Sequence, residues 1–240
     1  MALFVVIQML FTLLAIKDHH VPETDNEGIS GFRRLSRILG ASITYGVKNR
    51  VVLLLLISTA ALGIALSGLE NFWQPQLKGI TGATSRTWLF GLLSAGYFLA
   101  ASVGNLIVTP ICRLFGTRYA VILFASRICM GAIWFVLALQ TTVQGFAVFY
   151  IVIFLFHGIS TSPHAAIMNR EIPNTKRSTL LSFESLILQS GAVVGSIFMG
   201  FVSKVHSISV AWYIGSAILL ISSVFYLFIP NANSPDIPEQ

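Results

Sequence analysis

Apolar residues along this chain gather into seven runs separated by short polar breaks: Ala2–Ile16, Val51–Gln74, Trp88–Val108, Tyr119–Leu139, Gln144–Ile167, Thr179–Val202 and Ile208–Ile229. The first is short. Each of the other six matches the ~20 residues that a helix needs to cross ~30 Å of hydrocarbon. Backbone amides cannot stay unpaired in lipid, so spans of this kind must be helical. The pattern predicts an all-α membrane protein. Its expected layout is a short or partial span over 1–16, a linker over 17–50, six full spans over 51–229 and a tail over 230–240.

The linker has two parts. Pro22, Glu23, Asp25, Asn26 and Gly28 read as a flexible connection. Beyond them Leu35, Ile38, Leu39 and Ile43 stand at helical spacing beside Arg33, Arg34 and Arg37. That reads as a short basic amphipathic helix suited to an anionic membrane surface. The Ala2–Ile16 run has no basic residue before it and no small-x-small cleavage site after it. It therefore reads as a partial span rather than a signal peptide.

Composition agrees with the pattern. Hydrophobic residues make up 55% of the chain and charged ones 10%, against roughly a quarter charged in a soluble domain. The net charge is +6, but the basic residues lie between apolar runs rather than along one polar face. Nucleic acid is therefore not an expected partner; the lipid bilayer is. Eleven basic residues (Lys17, Arg33, Arg34, Arg37, Lys48, Arg50, Arg113, Arg118, Arg170, Lys176 and Arg177) fall on one side of the expected membrane, and three (Lys78, Arg86 and Lys204) on the other. The positive-inside rule makes the richer side cytoplasmic, with the N-terminus outside and the C-terminus inside. Cys112 and Cys129 read as packing residues, not a disulfide framework.

Ionisable residues inside spans cost ~2.5–3.5 kcal/mol on insertion scales, so they call for a role or a partner. Arg127 and Glu184 are two such residues. Glu184 shares a helical face with Gly191 and Gly195, a small-xxx-small seam for close helix contact. Three readings of Glu184 stand open: a proton-carrying carboxylate, the partner of a nearby arginine, or a side chain reaching for the interface. Arg127 reads first as a structural partner. Tyr150, His157, Thr161 and His164 form a polar stripe on one side of an otherwise apolar span. Ser67, Asn71 and Gln74 form another, with Glu70 and Trp73 beside them. It reads equally as a cavity wall or as an interfacial belt anchored by the indole. Two histidines without an acidic neighbour on that face do not make a metal site; neither do His19 and His20. No P-loop, nucleophile elbow or cofactor motif is present, so no enzyme is expected.

Six spans in two groups of three suit the inverted three-helix repeats of many transporters. Two motifs carry a closer resemblance. Glu171-Ile172-Pro173-Asn174-Thr175-Lys176-Arg177 is similar to the acidic-Pro-x-x-x-Arg signature of the major facilitator superfamily. Gly104 through Cys112-Arg113-Leu114-Phe115-Gly116-Thr117-Arg118 resembles a degenerate copy of that family's Asp-Arg-x-Gly-x-Arg loop, with Cys112 where the family often has aspartate. From about Phe32 to Ile229 the chain resembles the C-terminal half of such a transporter. Ala2–Ile16 would then be the end of its sixth helix, and the six long spans helices seven to twelve.

The resemblance implies alternating access with a missing N-terminal six-helix half as partner, and a small-molecule substrate. It implies that Arg113, Arg118, Glu171 and Arg177 form a cytoplasmic charge cluster, with Glu171 within ion-pair reach of Arg113 or Arg118. It further implies that Tyr150, His157, Thr161 and His164, with Glu70, Asn71 and Gln74, line the central cavity, His157 being its mid-membrane group. The expected function is proton-coupled export of the drug-antiporter kind. Alternatives are a solute importer of the same superfamily and a non-transporting structural or regulatory membrane subunit.

Overall fold

A computed structural model describes residues 40, 43–82, 87–114 and 118–230. The partial span over 1–16, most of the linker and the tail beyond residue 230 lie outside the described residues. So do Arg33, Arg34 and Arg37. The last turns of the linker are helical over 43–48.

Six helices follow: α1 (Arg50–Thr81), α2 (Thr87–Leu114), α3 (Tyr119–Ala138), α4 (Val143–Glu171), α5 (Arg177–Val205) and α6 (Ile208–Ser223). All six are long and apolar enough to cross a membrane, α5 counted from Asn174 and α6 to Phe228. Local chemistry sets their ends. The Asn49 side chain accepts from the amides of Val51 and Val52 at 3.0 and 3.1 Å, and Ser207 accepts from Val210 at 3.2 Å. Each satisfies amides that have no partner within the helix. Pro173 stops α4 by forcing Ile172 into an extended conformation, φ −100° and ψ 125°, as a residue before proline prefers. A 3₁₀ turn, Asn174–Lys176, then leads into α5.

The helices overrun the apolar runs. The Val51–Gln74 run stops at Gln74, whereas α1 continues to Thr81 with Pro75 inside it. Hydropathy marks the stretch that lies in lipid, and the backbone ladder continues past it. The last run is also not uniform: α6 gives way at Val224 to a 3₁₀ helix, Val224–Phe228.

Packing repeats between the two trios. The first helix of one trio lies along the second helix of the other, so α1 packs on α5 and α4 on α2. In the same way α1 packs on α6 and α4 on α3. The second trio starts from the opposite side because three spans precede it, which is the arrangement of inverted repeats. Both long seams rely on glycine. A Cβ at Gly191 would stand 2.6 Å from the Ala60 carbonyl oxygen of α1. Gly195 meets Ile64 of α1, and Gly104 and Gly158 meet the facing backbones across the α2–α4 seam. The small-residue seam expected at Gly191 and Gly195 is thus a backbone contact, and it turns Glu184 toward the protein.

Candidate functional site

Counting along the helices places the polar residues in one layer. Ser58 is eight residues into α1, Arg127 eight into α3 and Glu184 seven into α5, while His164 is seven from the end of α4. All four therefore lie about 11–12 Å from the bundle end that carries Arg50, Arg113, Arg170 and Arg177, at 1.5 Å per residue. His157 is fourteen residues from either end of α4, at mid-depth.

These residues converge. His164 Nε2 lies 2.5 Å from Glu184 Oε1, and the Thr59 hydroxyl donates to the same oxygen at 3.3 Å. Arg127, 3% exposed, donates from Nη2 to the Tyr226 hydroxyl at 2.7 Å. That hydroxyl also accepts from Ser58 at 2.7 Å. The guanidinium carbon sits 5.5 Å from the centroid of the Tyr226 ring. Between them is a cavity of about 280 Å³ lined by Arg127, His157, Thr161, His164, Glu184 and Tyr226, with Leu62, Ala165, Leu181 and Leu188 as apolar wall. Two buried nitrogens of the residues that line it, Arg127 Nη1 and His157 Nδ1, have no hydrogen-bond partner among the described residues.

The charges divide unevenly. The Glu184 carboxylate has an imidazole and a hydroxyl to itself. Arg127 has a neutral phenol and a ring face, and no carboxylate of the described residues stands within ion-pair distance of it. An arginine partner for Glu184, one of the open readings, is therefore not what the structure shows; the partner is His164.

The expected stripe on α4 divides. His157, Thr161 and His164 line the cavity, although Thr161 turns its hydroxyl back to the His157 carbonyl at 3.2 Å. Tyr150, seven residues from His157 and so about 10 Å further along the axis, is buried in an aromatic cluster. Its ring centroid lies 5.2 Å from Trp73, 5.8 Å from Phe146 and 5.0 Å from Phe154. The shared face is real, but the height separates the two groups. Glu70, Asn71 and Gln74 are exposed and lie apart from the cavity, Glu70 eleven residues beyond Thr59. Asn71 donates to Ser196 at 3.0 Å, and Gln74 borders a shallow hollow with Pro75, Lys78 and Phe90.

The ion pairs expected of the charge cluster do not form. Glu171 pairs with its neighbour Arg170 at 3.3 Å, and neither Arg113 nor Arg118 pairs with it. Its carbonyl oxygen accepts from the Tyr45 hydroxyl at 2.7 Å. Arg177 does reach across the loop, but to the Asn169 carbonyl at 3.2 Å rather than to a carboxylate. A guanidinium there satisfies a free carbonyl of the last turn of α4 and meets the negative end of its dipole. Cys112 and Cys129 are free and half-buried.

Tyr226, Ser58 and Thr59 belong to the site without any distinguishing mark in the sequence. Hydroxyls inside an apolar span carry no charge and are common there. The only sequence signal was Arg127 itself, a buried cation that needs an oxygen close by.

Six membrane-length helices in two alike trios, enclosing a cavity lined by two histidines, an arginine and a glutamate within the spans, define a multi-pass membrane protein of transporter architecture. Residues 51–240 match the family described as Major Facilitator Superfamily. The chain belongs to that superfamily, a family of membrane transporters. No curated protein and no solved structure matches it.

Proposed function

We propose that this chain is the C-terminal half of a secondary active transporter that exports small molecules in exchange for protons, as drug antiporters do. An N-terminal six-helix half completes the alternating-access machine, and the arginine-rich end faces the cytoplasm, so that the chain sits in the cell membrane with its C-terminus inside. The observation that carries the reading is the His164–Glu184 pair at 2.5 Å on the cavity wall. A carboxylate and an imidazole in contact share one proton readily, and a second proton converts the pair from neutral or zwitterionic to cationic. Imidazole titrates near physiological pH in water. The groups facing the pair are His157 on α4, Thr59 on α1, Arg127 on α3 and Tyr226 beyond α6. Arg127 is the one fixed charge among them.

The apolar wall of Leu62, Leu181 and Leu188 suits a solute with a hydrophobic body. The test is efflux by the chain co-expressed with an N-terminal half of the same superfamily. Everted vesicles are driven by a proton gradient, and wild type is compared with Glu184→Gln. Glu184→Gln is expected to lose gradient-driven transport while keeping solute–solute exchange. Gradient-driven transport at the wild-type rate in Glu184→Gln would overturn proton coupling through this pair.

A further inference from the structure

The carboxylate in the cavity is satisfied and the guanidinium is not. Glu184 holds His164 and Thr59, whereas Arg127 gives one N–H to a neutral phenol and leaves Nη1 without an acceptor. It does so at 3% exposure, at a depth where an uncompensated cation is expensive. His157, the other group with an unpartnered buried nitrogen, lines the same cavity. Two unused polar nitrogens, one fixed positive charge and leucine walls in one chamber are a receptor for an acceptor-bearing anion on an apolar body.

We infer that the cavity takes an amphiphilic organic monoanion, its carboxylate or comparable oxyanion meeting Arg127 and its apolar part lying between Leu62, Leu181 and Leu188. The inference rests on the cavity being the solute site of the proposed transporter and adds the charge class of the solute. A guanidinium presents several N–H donors in a planar fork, and Nη2 alone is occupied here. Carboxylate recognition by the remaining edge is the arrangement arginine favours. Arg127 is thereby a binding residue, and the Tyr226 hydroxyl, which holds the fork from one side, is a positioning residue. The Ser58 hydroxyl holds Tyr226 in turn.

The test uses the whole chain in nanodiscs of zwitterionic phosphatidylcholine and three probes with the same ring: benzoate, benzamide and benzylamine. Affinity is read by calorimetry and by the shift in melting temperature. Benzoate is expected to bind at least tenfold tighter than benzamide, and benzylamine weakest of the three. Arg127→Lys keeps the charge but not the fork and is expected to weaken benzoate about tenfold; Arg127→Gln should lose the preference for the anion. The ranking of the three probes on wild type needs no variant, so it stands even if Arg127→Gln does not fold. Equal binding of benzoate and benzamide, tighter binding of benzylamine, or no binding of any probe would each overturn the inference.

An oxyanion could also come from a lipid headgroup, so the series is repeated with phosphatidylglycerol in the disc. If phosphatidylglycerol alone stabilises wild type but not Arg127→Gln, and benzoate adds nothing, the anion is a lipid and the solute inference falls. Preference for a neutral or cationic probe removes the anion class and leaves the solute-site reading standing. Gradient-driven transport undiminished in Glu184→Gln removes proton coupling and leaves the anion result untouched.

Discussion

The two halves of α4 have the same helix and nearly the same partners but opposite interiors. Toward the Val143 end, Phe146, Tyr150 and Phe154 pack with Trp73 and Trp212 into a dry aromatic layer. Toward the Glu171 end, His157 and His164 face Arg127, Glu184 and Tyr226 across a cavity. The aromatic layer is held by ring contacts and leaves no room. The polar layer is held by a few short hydrogen bonds and keeps both a hollow and two unpartnered nitrogens. One layer closes the bundle, and the other is equipped to exchange protons and solute. In membrane proteins, where lipid is as apolar as the core, packing rather than water exclusion keeps helices together. The aromatic layer should therefore carry stability and the polar layer function.

The largest expected effect is at the centre of the aromatic layer. Trp212 is fully buried, lies tilted against Phe146 with ring centroids 6.0 Å apart and donates Nε1 to the Gly68 carbonyl at 3.0 Å. Trp212→Ala should cost about 3–5 kcal/mol, measured by thermal or denaturant unfolding in a fixed detergent. A loss below about 1 kcal/mol would show that this layer is not the stabilising one.

A smaller loss is expected at the phenol that organises the polar layer. Tyr226→Phe keeps the ring under Arg127 but removes the oxygen that receives both Arg127 and Ser58. Leaving a buried donor unsatisfied costs about 1–3 kcal/mol. The same variant should weaken benzoate binding, because the guanidinium loses its side support, while Trp212→Ala should not alter the preference for benzoate over benzamide. If Trp212→Ala erases that preference and Tyr226→Phe does not, the division of labour between the layers is wrong.

Much of this architecture is legible in the sequence, for a physical reason. Six spans announce themselves because a backbone in lipid has no alternative to the helix, and Arg127, Glu184, His157 and His164 stand out because polar groups there need a cause. What could not be read is pairing. Ser58 meets Tyr226 across 168 positions and Arg127 meets it across 99; neither hydroxyl is unusual on its own. The stripe from Tyr150 to His164 shows which face is shared but not that it crosses from one layer to the other. At Glu171 the resemblance pointed to Arg113 or Arg118, but the adjacent Arg170 takes the carboxylate. Motif spacing fixes which charges gather at one end of a bundle, and it leaves open which of several arginines is nearest.

The smallest expected effect is the most discriminating. Ser58 contributes one hydroxyl, 2.7 Å from the phenol oxygen, and a neutral hydrogen bond is worth about 0.5–1.5 kcal/mol net. Ser58→Ala should therefore cost about that much alone. If the polar layer is a network, its loss and that of the Tyr226 oxygen are not independent, because the second removes what the first was donating to. A double-mutant cycle of Ser58→Ala with Tyr226→Phe should then show a coupling of about 0.5 kcal/mol or more. The control pairs Ser58→Ala with Trp212→Ala. Trp212 bonds α1 at Gly68, ten residues and so about 15 Å along the axis from Ser58, where effects add within about 0.5 kcal/mol. Coupling in the first cycle and additivity in the second would establish two mechanically separate layers. Equal coupling in both would mean that the bundle responds as one body, and the contrast between its halves would be one of composition alone.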